Sequence, residues 1–265
     1  MKTVADPDRL LADGLVRLRE RFSVPEGFAP DVLAEAERMA SRAPAAHSDW
    51  TDRPFVTLDP ESATDLDQAF LIEQAGADLR LHYALADIGW FVPAGGAAEA
   101  AAWSRGVTYY LPDGKARLYP AILSEKAASL LPDGPRPAIV LTLRCSPEGA
   151  VLLEGAERAI VRSRAKLAYD RVQPSDLPLL PEFAARMRLG EDSRGAARVD
   201  PPEQEIERGP DGRYRLHLRA RLPTEEANSA LSLAANIAIA QALHAAGTGL
   251  FREMAAPDER AIRRL

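Results

Sequence analysis

Phe55-Val-Thr-Leu-Asp-Pro-Glu-Ser-Ala-Thr-Asp-Leu-Asp-Gln-Ala-Phe70 is the stretch on which the reading of this chain turns. It crowds Asp59, Asp65 and Asp67 between an apolar entry, Phe55 to Leu58, and an apolar exit, Ala69 to Ile72. Carboxylates this close raise one another's pKa, and burying unpaired charges is costly. A solvated acidic turn is one resolution. A divalent cation is the other, because hard ions such as Mg²⁺ bind carboxylate oxygens and water, with substrate phosphates completing the shell. A helix-loop-helix calcium site is excluded, since its loop glycine and distal glutamate are missing from their required offsets. Asp65 and Asp67, two apart, can point to one side of an extended segment, and Asp59 lies across a short loop that can fold back to complete a cage.

Working outward, the pattern from Pro54 to Val92 is β. Ala69 to Gln74 and Leu79 to Leu85 flank a hairpin-like turn at Ala75 to Asp78. Leu79, Leu81, Tyr83 and Leu85 alternate with Arg80, His82 and Ala84, the period of a half-buried strand. Pro137 to Arg144 and Ala150 to Val161 predict a second hairpin around Ser146-Pro-Glu-Gly149. Helices are expected over 6–22, 30–42, 97–104 (with Gly106 as its C-terminal cap), 175–190 and 224–246. The polar stretch 42–52 reads as a linker, and Asp200 to Gly212 as a separator before a strand at 213–220. The fold class is α+β, one mixed β-sheet core with packed helices. A short helical N-terminal segment and linker, 1–52, precedes a domain over 53–265.

The chain of 265 residues is 46% hydrophobic and 27% charged, ordinary for a soluble globular protein. No apolar run approaches a membrane span, and the start lacks a signal peptide's apolar core. The single cysteine, Cys145, excludes an intramolecular disulfide and fits a reducing cytoplasm; it lies in an apolar run and reads as a core residue. The histidines are scattered without zinc-ligand spacing. A net charge of −6 speaks against a wholly basic nucleic-acid binder, but local clustering matters more. Arg158, Arg162, Arg164, Lys166 and Arg171 form one basic run, and Arg186, Arg188, Arg194 and Arg198 another.

Further blocks follow the acidic motif in order: Tyr83-Ala-Leu-Ala-Asp-Ile88, Arg105-Gly-Val-Thr-Tyr-Tyr-Leu-Pro-Asp113, Leu118-Tyr-Pro-Ala-Ile-Leu-Ser-Glu125 with Ala128-Ser-Leu-Leu-Pro132, and Ser163-Arg-Ala-Lys-Leu-Ala-Tyr169. From about Pro54 onward this series resembles the catalytic domain of the RNB family, the ribonuclease II-like exoribonucleases. The resemblance implies Mg²⁺-dependent hydrolysis of single-stranded RNA from its 3′ end to nucleoside 5′-monophosphates, with one or two ions. It implies that Asp59, Asp65 and Asp67 are the catalytic metal-binding acids, Asp67 the most critical. Tyr110 matches an aromatic that stacks a base near the 3′ end, Tyr169 a residue near the terminal nucleotides, and Glu225 an acid that recognises the terminal sugar. Ordinary readings stand beside these, with Tyr109 a core tyrosine and Glu225 a first-turn helix acid. Single-stranded RNA is the expected partner, with no membrane and a monomeric state.

The chain departs from the family pattern at three places. A fourth acid normally follows the third directly; Gln68 stands there, able to ligate but bringing no charge. A second stacking aromatic expected near Val199 is missing. No Ser-Pro-x-Arg-Arg-type block follows the long helix, and the chain stops at Arg260-Ala-Ile-Arg-Arg-Leu265 in what reads as a new helix. The expectation is therefore the N-terminal part of a longer enzyme. A noncatalytic or truncated RNA-binding module of the same fold is the alternative, and a metal-stabilised interaction domain a third reading.

Overall fold

Strand period and turn chemistry leave open which strands pair, and the computed structural model supplies that. The structure describes residues 2–4, 10–196, 198, 202–211, 213–251, 260 and 263. In chain order the elements are β1 (Lys2–Val4), α1 (Leu10–Arg21), α2 (Pro30–Ala40), β2 (Ser48–Asp59), β3 (Gln68–Ala75), β4 (Asp78–Ala86), α3 (Ile88–Phe91) and α4 (Ala97–Arg105). There follow β5 (Tyr109–Leu111), β6 (Gly114–Ala116), a wide helical turn at Leu123–Ala127, β7 (Arg136–Cys145), β8 (Val151–Ala168), α5 (Leu180–Ser193), β9 (Glu203–Arg208), β10 (Tyr214–Arg219) and α6 (Pro223–Ala245).

Strands β2, β3, β4, β7 and β8 pair in that order and close into a barrel. The closing contact runs β2 parallel to β8, with Ser48 opposite Ala159 and Asp59 opposite Ala168; the other barrel pairings are antiparallel. Strand β2 slips register between Trp50 and Phe55 and again before Thr57. Such irregularities bend a strand at barrel rims and re-aim its end. Here the end is Asp59.

Period-2 alternation splits the strand residues between two cores. Phe70, Leu79, Leu81, Tyr83, Leu141 and Leu143 pack with Phe183 and Met187 of α5 and with Leu231, Ala234 and Ala238 of α6. The opposite face contributes Ala69, Ala84, Ala138, Val140, Ala159 and Val161, joined by Phe55, Leu66 and Leu130. Each fully buried large apolar side chain contributes about 1.5–3 kcal/mol, so the α5–α6 layer is a principal stabiliser of the barrel. Gly149 turns the β7–β8 hairpin at φ +81°, and a Cβ there would strike the Arg186 carbonyl of α5. Cys145 is buried, which pushes its thiol up to about 11.

The N-terminal helices are tied into this body. The buried Glu35 carboxylate of α2 accepts hydrogen bonds from the Ala97 and Ala98 amides at 2.6 and 3.3 Å. It thereby satisfies orphan donors at the start of α4, as a capping carboxylate does. Strand β1 pairs with β10, far along the chain.

Several sequence expectations need correction. The linker at 42–52 is in part strand, because β2 begins at Ser48 and backbone pairing with Ala159–Val161 needs no apolar alternation. The separator before β10 contains β9, hidden by the charge of Glu203-Gln-Glu-Ile-Glu-Arg208 and paired with β10. The α+β class with a mixed β core and packed helices stands, but the core sheet closes into a barrel, and a three-stranded sheet β1-β10-β9 and a β5–β6 ribbon are separate from it. The helix expected over 175–190 runs Leu180–Ser193, and that over 6–22 runs Leu10–Arg21, residues 5–9 lying outside the described ones. Both hairpins, the helix ending at Gly106 (φ +74°) and the long helix stand as expected. Val199 and most of 260–265 lie outside the described residues.

Candidate active site

The acidic motif is the rim loop of the barrel. Asp59 ends β2, Asp67 immediately precedes β3, and residues 60–66 arch between them. Lys166 of β8 holds the arch from below, its Nζ donating to the carbonyls of Glu61 (2.6 Å) and Ala63 (2.5 Å). Ser129 holds it from the side: its Oγ donates to the Thr64 carbonyl (2.8 Å) and accepts from the Leu66 amide (2.9 Å). The Leu130 amide donates to the Leu66 carbonyl at 2.8 Å, and Leu66 and Leu130 are both fully buried. Buried backbone groups demand partners, and these supply them at fixed positions. Lys166 and Ser129 lie in two of the ordered sequence blocks, where no role was assigned to them. That membership was the available signal.

Asp59, Asp65, Asp67 and Tyr110 line one cleft of about 670 Å³ together with Lys115, Tyr119 and Ser129. The three acids do not share one environment. Burial raises the Asp59 carboxyl to about 6, with the neighbouring Asp67 charge adding to the effect and Lys166 opposing it. Its Oδ2 is buried and has no hydrogen-bond partner among the described residues. Burial likewise raises Asp67, with Asp65 adding to it. Asp65 goes the other way: burial pushes it up, but the Lys115 ammonium and backbone amides outweigh that and hold it below the ordinary carboxylate range. Lys115 Nζ lies 3.0 Å from Asp65 Oδ2 and 2.7 Å from Glu125 Oε1. Sequence reasoning missed Lys115 and Glu125, and nothing in the turn Pro112-Asp-Gly-Lys115 signals the contact.

Tyr110 stands 74% exposed on the β5–β6 ribbon, directly opposite Lys115, while Tyr109 is half-buried. Gln68 is turned to other use, its Oε1 accepting from the Tyr83 hydroxyl in the α5–α6 core. Burial raises that hydroxyl's pKa far beyond the ordinary range, so it remains a donor. Tyr169 sits just beyond β8, its amide donating to the Asp59 carbonyl at 3.3 Å and its hydroxyl accepting from Asn228 at 2.8 Å. Burial pushes the Tyr169 hydroxyl up to about 12. The Glu225 carboxylate accepts two 2.7 Å bonds from Arg219 and one of 2.7 Å from the Leu222 amide, capping α6. Those Arg219 bonds lower its pKa. Gln68, Tyr169 and Glu225 do not line the cleft that the three acids share.

The basic runs are largely spent on the fold. Arg158 pairs with the buried Asp87 (2.9 Å), Arg164 donates to the Thr51 carbonyl (2.7 Å), and Arg171 pairs with Glu61 (2.7 Å). In the second run Arg186 bonds Glu182 and the Cys145 carbonyl, Arg188 pairs with Glu226, and Arg198 with Glu191 and Asp192. Asp87, from the Tyr83–Ile88 block, also meets His47 at 3.1 Å in a fully buried contact.

Carboxylate oxygens are the donor set of a hard divalent ion such as Mg²⁺. Asp59 and Asp67 fit one, being close neighbours, desolvated, and including an orphaned oxygen. Asp65 is already paired, and among the described residues no three His, Cys, Asp or Glu side chains converge as a metal-holding group. None of the described helices is long and apolar enough to cross a membrane.

Comparison with known proteins gives the family and the fold. The family model described as RNB domain matches residues 47–265. The chain is similar to Ribonuclease R of Aquifex aeolicus, 28% identical over 155 residues, which cover 57% of this chain and 22% of that protein. It is also similar to a protein of Arabidopsis thaliana named Inactive exonuclease DIS3L2, 32% identical over 151 residues, 55% of this chain and 14% of that one. The chain thus spans about a fifth or less of the length of these relatives. Its fold matches that of Mycoplasma genitalium RNase R in complex with ribose methylated single-stranded RNA, with a TM-score of 0.82 and 20% identity over 91% of this chain and 40% of that one.

Proposed function

The chain belongs to the RNB domain family, and from that premise we propose that its rim cleft hydrolyses single-stranded RNA from the 3′ end, with Mg²⁺, releasing nucleoside 5′-monophosphates. The observation that carries the reading is the pair Asp59 and Asp67, desolvated and with no ion pair among the described residues, at a rim that also presents an exposed Tyr110. Asp59 and Asp67 would hold the ion, while Asp65, already paired with Lys115, lines the same cleft. When bound, a divalent ion supplies Lewis-acid stabilisation of the charge that builds on oxygen during displacement at phosphorus. The remaining work falls to the chain's own side chains. Tyr110 stacks a base, worth about 1–3 kcal/mol and indifferent to base identity. Lys166 and Ser129 hold the arch so that the carboxylates keep their positions without reorganising. Tyr169 ties the Asp59 backbone to α6 through Asn228 and Thr224. Glu225 reaches the terminal sugar only through lone pairs left over from Arg219 and Leu222, so we assign it first to the start of α6. Gln68 supports the site through Tyr83 rather than as a charged ligand. The protein acts as a monomer in the reducing cytoplasm to which its lone buried cysteine is suited.

A noncatalytic RNA-binding module is the second reading. It is favoured by the engaged Gln68 and the Lys115-bound Asp65, which leave the cage short of charge. Incubating 5′-labelled single-stranded RNA with Mg²⁺ separates the two. A ladder shortening from the 3′ end, absent with Asp67→Asn, is the result expected of the enzyme. RNA retained uncut by both proteins would overturn it in favour of the module.

A further inference from the structure

Lys115 is the feature of the cleft that neither the acidic motif nor the RNA reading accounts for. The β5–β6 ribbon lays it across the rim, its ammonium 3.0 Å from Asp65 and 2.7 Å from Glu125. Glu125 is itself held by Arg117 Nε at 2.8 Å, which fixes the far end of the contact. Tyr110 and Lys115 are direct cross-strand partners, so the exposed ring and the charge are carried by one two-stranded piece. Of the three acids lining the cleft, Asp65 therefore already owns a cation, whereas Asp59 keeps an orphaned oxygen. The side chain after Asp67, Gln68, brings no charge and is engaged by Tyr83.

We propose that Lys115 is the resident cation of this site: its ammonium takes the place of a second divalent ion at Asp65, so the cleft binds one ion, through Asp59 and Asp67. A second divalent ion at Asp65 must either sit against the ammonium, a like-charge contact, or displace it. Displacement breaks the contacts to Asp65 and Glu125 that fix the ammonium. The inference rests on the metal reading above, and its failure is separable from that reading's failure.

The decisive measurement counts Mn²⁺ ions bound per full 265-residue chain, by electron paramagnetic resonance and calorimetry without RNA. Wild type and Lys115→Arg are expected to bind one ion, and Lys115→Met two, the second lost again in Lys115→Met/Asp65→Asn. Should Lys115→Met fail to fold, Asp65→Asn in the wild-type background carries the test. Its single ion should bind within about twofold of wild type, as expected when a screened, already paired charge is removed, whereas Asp59→Asn should abolish binding. Two ions on wild type, or loss of all binding in Asp65→Asn, overturns the role of Lys115 while leaving the metal reading intact. No ion on any variant overturns both.

Discussion

Two sides of the same rim, built from one short acidic motif, meet opposite electrostatic fates. On one side Asp59 and Asp67 are desolvated, raised in pKa and, among the described residues, without an ion pair. On the other, Asp65 is lowered by Lys115, a lysine from a separate ribbon whose Nζ lies 3.0 Å away. Burial acts on all three, so burial alone does not decide the outcome; the presence of a fixed counter-charge does. A fold pays to hold two ionisable acids in that state, and the arch clamped by Lys166, Ser129 and Leu130 prevents them from escaping to solvent.

The comparison breaks first at Asp67. Asp67→Asn is expected to lower RNA shortening by about 10²–10³-fold, the scale for losing one preorganised electrostatic group, measured as initial rates at saturating Mg²⁺. A loss no larger than that of Asp65→Asn would erase the distinction between the two sides. Next comes the ribbon. Tyr110→Ala should weaken single-stranded RNA binding by about 1–3 kcal/mol, read by fluorescence anisotropy, while Tyr109→Phe leaves it unchanged.

A smaller effect sharpens the contrast through pH. A carboxyl whose folded pKa is raised above its unfolded value of about 3.9 opposes folding once ionised. For Asp59, raised to about 6, that cost is absent below about pH 4 and complete above about pH 7, and solvent screening reduces it to about 1–2 kcal/mol. Chelator-treated Asp59→Asn should therefore be more stable than wild type at pH 7.5 and equal to it at pH 4, by urea unfolding. Asp65, lowered instead, gives the reverse sign: Asp65→Asn should lose stability at neutral pH and converge with wild type in acid. The smallest effect belongs to the exposed pair Arg171–Glu61 on the outside of the arch, where Glu61→Gln should cost about 0–1 kcal/mol.

Much of this was readable from the chain. Leu79, Leu81 and Tyr83 gave the β4 period, Ala75–Asp78 its turn, and the small residues of α6 their packing face, because each signal is local. Asp59, Asp65, Asp67 and Tyr110 were likewise legible, from spacing and family resemblance, and the structure gathers them at one cleft. What escaped was nonlocal or disguised. Lys115 meets Asp65 across 50 positions of sequence and Lys166 meets Ala63 across 103, distances at which no periodicity speaks. Strand β9 is masked by charge and the start of β2 by polar residues, since both are held by backbone pairing that composition does not reveal. Gln68 and Glu225 show the converse: their identities were legible, but not that Tyr83 and Arg219 would occupy them.

The asymmetry of the rim is tested most directly by thermal unfolding at pH 7.5 with and without Mg²⁺ for wild type, Asp59→Asn and Asp65→Asn. An ion that binds only the folded state stabilises it by about 2.7 kcal/mol at a hundredfold excess over its Kd. The expected result is a Mg²⁺-dependent rise in Tm for wild type and Asp65→Asn that Asp59→Asn lacks. Equal loss of the rise in both variants, or no rise in wild type, would contradict it.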